Sequence, residues 1–136
     1  MLEVMQSLQS VTSFLAYFVV ALMLVATFKV VYVFLTPHNE ISLIKNGNIA
    51  AAAQFSGALV GFCVPLFSAI SHSVSMVDFI TWGVVALVVQ VTTFFLASKL
   101  VMNLSVEIQN SNVAAGILSA ALSISAGLIN AACMTY

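Results

Sequence analysis

The stretch VTSFLAYFVVALMLVATFKVVYVFL, Val11–Leu35, carries one formal charge, Lys29, in 25 residues and is closed by Thr36-Pro37. Proline lacks a donor and biases its predecessor away from helix, so the stretch ends there. A hydrocarbon core of ~30 Å needs ~20 apolar residues at ~1.5 Å rise, so Val11–Leu35 is long enough to cross a bilayer. Three further stretches of that kind follow, at about 48–70, 75–100 and 112–135. The third opens at Ser75, which with Asp78 three residues on resembles a capping box.

Composition leaves no other solvent for this chain. Of 136 residues, 62% are hydrophobic and 5% charged, and the mean hydropathy is +1.18, so a polar coat for a water-soluble domain is lacking. The fold expected is all-α and integral to the membrane, with four transmembrane helices in one domain over residues 1–136. The connections, 37–47, 71–74 and 101–111, are too short to hold another domain. Residues 1–10 carry Glu3 and no Lys or Arg, unlike the positive start of a cleavable signal, so the first span is read as retained.

Charge excludes several functions. Three Lys, no Arg and four acidic residues give a net charge of -1, and no basic surface is left for nucleic acid. Two Cys and two His fall short of a structural zinc set. Cys63 and Cys133 fall at different depths, which argues against a disulfide between them, and His38 and His72 fall on opposite sides of the membrane. There is no Ser/His/Asp arrangement and no glycine-rich phosphate loop. The expectation is a protein that is not an enzyme and takes no cofactor or metal.

Lys29, Lys45 and Lys99 all fall toward one side of the membrane, which the positive-inside rule makes cytoplasmic. Both termini are then periplasmic. Laying the second stretch over the fourth with a shift of 64 aligns Ile44-Lys45-Asn46-Gly47-Asn48-Ile49-Ala50-Ala51 with Ile108-Gln109-Asn110-Ser111-Asn112-Val113-Ala114-Ala115, five of eight positions being identical. Repeat one covers about 11–70 and repeat two about 75–136. Each holds two spans, so the halves enter the membrane facing the same way, as tandem parallel two-helix repeats about an axis along the membrane normal.

Polar residues at and within the spans are the functional candidates. Asn46 and Asn48, and again Asn110 and Asn112, stand where a span begins. Two readings are open: N-caps, or a pair of helix N-termini holding an anionic or carbonyl group at the inner mouth. Gln54, Gln90 and Asn130 lie within spans, where an amide needs a partner; a bond between helices and a solute path are the alternatives. Lys29 either snorkels to the inner interface or pairs with Glu40 or Glu107. Small residues stripe the second span at Ala53, Gly57, Gly61 and Ala69, with Pro65 in register, and the fourth at Ala115, Ser119, Ser123, Gly127 and Ala131. Gly57–Gly61 is a GxxxG, and these faces suit close helix packing, or alternatively a narrow pore. Spans one and three carry bulky Phe14, Tyr17, Phe18, Phe28, Tyr32, Phe34, Phe79, Trp82, Phe94 and Phe95. They are expected to be the outer, lipid-facing pair.

Several motifs in order resemble a known family: Thr36-Pro37-His38-Asn39-Glu40, Leu43-Ile44-Lys45-Asn46-Gly47-Asn48 with Ala50-Ala51, Pro65-Leu66, Trp82-Gly83, Gln90, Asn112-x-Ala114-Ala115-Gly116 and Asn130-Ala131-Ala132-Cys133-Met134-Thr135. They resemble the UPF0719 group of bacterial inner-membrane proteins, YjfL-like and built from paired copies of domain of unknown function 350, over nearly the whole chain. The resemblance implies a four-span protein of the bacterial inner (plasma) membrane. That family has no assigned activity, so it supplies no catalytic or ligand residues. Its members are often encoded beside phage-shock-type membrane-stress proteins, which implies envelope maintenance. Two functional classes remain: a homo-oligomeric small conduit or carrier, or a non-transporting anchor that recruits a membrane-stress protein through the Thr36–Asn48 and Asn103–Ser111 connections.

Overall fold

A computed structural model describes residues 1–37, 39–100 and 103–134. His38, Val101, Met102, Thr135 and Tyr136, and with them parts of two family motifs and the end of the fourth span, lie outside the described residues. Six helices follow in order: α1 (Leu2–Leu35), α2 (Glu40–Lys45), α3 (Ile49–His72), α4 (Met76–Leu100), α5 (Leu104–Gln109) and α6 (Val113–Cys133). Four of them, α1, α3, α4 and α6, are long and apolar enough to cross a membrane.

Helix α1 begins nine residues before the apolar stretch that announced it. Residues 2–10 contain Leu, Glu, Met and Gln, all good helix formers, and no Gly or Pro, so nothing stops the helix where hydropathy falls. Its 34 residues give a rod of about 51 Å, longer than a hydrocarbon core. Two connections also hold helices of their own, the six-residue α2 and α5. α2 starts on Asn39, whose side chain accepts from Ser42 N. Leu104 and Ile108 anchor α5 by burial.

The starts of α3, α4 and α6 are each held by a side chain. Asn48 Oδ1 accepts from Ala51 N at 3.0 Å and Asn112 Oδ1 from Ala115 N at 3.3 Å. Before them the chain turns through left-handed backbone at Gly47 (φ 84°) and Ser111 (φ 60°). Asp78 N donates to Ser75 Oγ, and the Asp78 carboxylate accepts in return from Val74 N, both at 3.1 Å.

The widest helix contact is between α3 and α6. Their backbones approach so closely that a Cβ on Gly127 would lie 2.0 Å from Gly61 O, one on Gly116 2.5 Å from Ala50 O, and one on Gly57 2.3 Å from Ala120 Cα. Contacts that pair Ala50 with Gly116, Gly57 with Ala120 and Ser68 with Ala131 make the two helices parallel. α4 crosses this pair antiparallel, since Gln90 meets Ser123 and Asn130 meets Ala86. α1 lies outside, parallel to α4, with Tyr17 on Phe79 and Tyr32 on Phe94. Elements of the second half start 64 residues after those of the first: Glu40 and Leu104, Ile49 and Val113.

One expectation for the outer helices is corrected. Phe28, Tyr32, Phe79 and Phe94 do not face lipid but form the main core with Phe62 and Leu66, and Phe28 stacks on Phe62 with centroids 4.7 Å apart. α1 and α4 pack against each other and against α3, so their inward faces need bulk to fill the space that α3 and α6 do not. Phe14, Phe18, Phe34 and Phe95 are exposed.

Because Gly127 meets backbone that cannot rotate away, Gly127→Ala is expected to destabilise the bundle by about 1–3 kcal/mol, whereas Ala121→Val on the exposed face of α6 should stay within about 0.5 kcal/mol. Unfolding of the two variants in mild detergent measures the difference, and equal stability would contradict the close seam.

Candidate functional site

Within the spans the amides are bonded across helices. Gln54 Nε2 donates to Ser119 Oγ at 3.2 Å, Gln90 Nε2 to Ser123 O at 2.8 Å, and Asn130 Nδ2 to Ala86 O at 3.3 Å. Ser68 Oγ adds a bond to Ala131 O at 3.2 Å. Gly61 leaves room for the Gln90 amide, since a Cβ there would lie 2.7 Å from Nε2. Two acceptors are left over: Gln54 Oε1 and Gln90 Oε1 are buried without a hydrogen-bond partner. An unmade bond of that kind costs about 1–3 kcal/mol, so each needs an explanation.

At the end of the bundle where α2 and α5 lie, the polar residues gather. Tyr32, one turn before the end of α1, donates its hydroxyl to Glu40 Oε1 at 3.0 Å. Glu40 opens α2 and is fully buried. Burial pushes the Glu40 carboxyl up to about 7, and the Tyr32 hydroxyl bond offsets part of that rise. Tyr32 itself rests on Phe94, centroids 4.7 Å apart, and Thr36 Oγ1 bonds back to Tyr32 O.

Phe94 is shared with a cavity of about 310 Å³ between α1, α3, α4 and α5. Gln54 reaches this space from α3, Thr36 from the end of α1, Ser98 and Lys99 from the last turn of α4, and Asn103 from the start of α5. Lys99 Nζ stands 4.6 Å from the centroid of the Phe95 ring. The cavity thus has an apolar wall, a buried amide and a cation, a combination suited to an amphipathic anion.

The other expected site residues are placed as follows. Asn48 caps α3 and also donates Nδ2 to Ile108 O at 2.9 Å; Asn112 caps α6 and donates to Glu107 Oε2 at 2.7 Å. Asn46 and Asn110 are exposed C-caps of α2 and α5. Lys29 is exposed on α1, while Glu40 is engaged by Tyr32 and Glu107 by Asn112. Gly57, Gly61, Ser119, Ser123 and Gly127 are buried along the α3–α6 seam. Cys63 and Cys133 are free and exposed. Among the described residues no three of His, Cys, Asp and Glu converge to hold a metal. Sequence reasoning missed the Tyr32–Glu40 pair, although its eight-residue separation across Pro37 is the span of one helix end folding back.

These features define a multi-pass helical membrane protein with a polar cluster at one end. Residues 5–134 match the model of the Domain of Unknown Function family DUF350. The UPF0719 inner membrane protein YjfL of Escherichia coli K12 is 42% identical over 97% of this chain and 100% of its own length. The UPF0719 transmembrane protein YshE of Bacillus subtilis is 29% identical over 86% of this chain and 89% of its own. The chain belongs to the UPF0719 (DUF350) family. No solved structure matches it.

A carboxyl raised from 4.5 to about 7 binds a proton more tightly in the folded protein, so its contribution is complete below about pH 4.5 and is lost as pH rises through 7. Stability in mild detergent is therefore expected to fall by on the order of 3 kcal/mol between pH 5 and pH 8. Glu40→Gln keeps the acceptor for Tyr32, and it should flatten this dependence and exceed the parent at pH 8. A pH profile unchanged in Glu40→Gln would contradict the assignment.

Proposed function

We propose that the protein is a homo-oligomeric small conduit or carrier of the bacterial inner membrane, linked to envelope maintenance, whose inner mouth is the α2/α5 end. The observation that carries this reading is the buried Glu40 carboxyl, hydrogen-bonded by Tyr32 at a span end and titrating near neutral pH. A proton-sensitive group at the mouth of a span is costly to keep and suits a gate or a proton-linked step. Lys29, Lys45 and Lys99 near the same end make it cytoplasmic, with both termini periplasmic.

The offset of 64 residues between the halves, with α3 parallel to α6 and α1 parallel to α4, supports a tandem parallel duplication. Two halves facing the same way do not supply the opposed repeats that many carriers rock about a midplane site. Gly57, Gly61, Ser119, Ser123 and Gly127 close each copy along its seam, so a solute path runs between copies rather than through one. In this reading Gln54, Gln90 and Asn130 hold each copy together, and Glu40 governs the mouth.

Reconstitution into liposomes with an ion and small-amine flux assay tests it. Flux is expected to depend on pH between 6 and 8, and Glu40→Gln should remove that dependence by about tenfold at its steepest. Absence of flux from an assembled oligomer, or a monomer by light scattering in mild detergent, would overturn the reading.

A second reading, a non-transporting anchor for a phage-shock-type stress protein, draws on the shallow groove between α2 and α5 formed by Pro37, Asn39, Ser42, Leu43 and Gln109. Glu40 is too buried to serve there, so the contact would run through exposed Ser42 and Gln109. Cosedimentation of such a protein with proteoliposomes, abolished by Ser42→Arg, is the outcome this reading expects; cosedimentation unchanged in Ser42→Arg would exclude it.

A further inference from the structure

We propose that the cavity between the ends of α1 and α4 seats the headgroup of a membrane glycerophospholipid that carries both a phosphate and a hydrogen-bond donor. The cavity opens where two spans end, at Leu35–Pro37 and at Ser98–Lys99, which is the depth of lipid phosphates rather than of the hydrocarbon. Its volume of about 310 Å³ accepts a headgroup and the first carbons behind it. Phe94 and Phe95 supply the apolar wall for those carbons.

Two groups set the chemistry. Lys99 stands at the wall beside Phe95, with Ser98 and Asn103 as further donors, and no carboxylate is among the described lining residues, so the site favours an anion. Gln54 is 1% exposed, spends its Nε2 on Ser119 and leaves Oε1 without a partner at the same wall. That acceptor asks for a donor from the occupant. An ethanolamine or glycerol headgroup has one, and a choline headgroup does not.

Helix packing alone does not demand these polar residues. Sixty-four positions away, the counterparts of Gln54 and Lys99 are Leu118 and Leu35. The same chemistry exists in a free phosphate ester such as glycerol 3-phosphate; the depth of the site favours the lipid. Occupancy does not depend on transport, and it is read without any flux measurement.

Native mass spectrometry of the full chain, with phosphatylethanolamine, phosphatidylglycerol and phosphatidylcholine of identical acyl chains, tests the proposal. The first two are expected to be retained about fivefold better than the third, the value of roughly one hydrogen bond. Gln54→Leu should bring the three together, Lys99→Met should weaken all three, and Ser119→Ala, which removes the Gln54 partner on α6 but not the wall, should keep the preference. Equal retention of the three by the parent chain, or a preference unchanged in Gln54→Leu, would overturn the proposal. Displacement of bound phosphatidylglycerol by equimolar glycerol 3-phosphate would overturn the lipid assignment in favour of a free ester.

Discussion

Two helices surrounded by hydrocarbon gain nothing from hiding apolar surface, because lipid tails are as apolar as leucine. What can hold them is close contact and hydrogen bonding, and the α3–α6 seam uses both. Gly61 and Gly127 place peptide groups where any side chain would collide, and Gln54, Ser68, Ser119 and Ser123 lie buried along the contact. The remaining helices are arranged by this pair. α4 docks on it through Gln90 and Asn130, and α1 then fills the outside of α3 and α4 with aromatic rings.

The four spans were legible in the sequence because the cost of an unbonded peptide group in lipid forces long apolar runs, and such runs are hard to mistake. The starts of α3 and α6 were legible for a local reason, the Asn side chain at Asn48 and Asn112 three residues before the donor it serves. Small residues marked the α3–α6 faces because only they permit that approach. The outer aromatic residues were not legible in the same way. A ring against lipid and a ring against another helix meet equally apolar surroundings, so composition does not tell Phe28, which is buried, from Phe34, which is exposed.

The candidate site was legible in parts and not as a whole. Glu40 stood out as a rare charge, but its burial follows from α2, a six-residue helix too short to announce itself by periodicity. Gln54 stood out as an amide inside a span; its neighbours in the cavity, Ser98, Lys99 and Asn103, come from more than 40 residues further along and are joined to it only by the antiparallel docking of α4 on α3. Tertiary assembly, not local pattern, brings them together.

The two halves share their framework and differ in their chemistry. Both have a long helix, a six-residue helix, a left-handed turn and an Asn-capped span at the same offset. Yet 64 residues from Tyr32, Thr36, Glu40 and Gln54 stand Leu96, Leu100, Leu104 and Leu118. A residue needed only to build the helix pair would be needed in both halves, as the two capping Asn are. The polar set at the α2/α5 end is one-sided, and each of its members carries a desolvation cost that the matching leucine avoids. Asymmetry of that kind localises the chemistry: the shared parts make a bundle that can sit in lipid, and the first half, joined by Lys99 from α4, adds the one place in it where charge, a proton and an unspent acceptor meet.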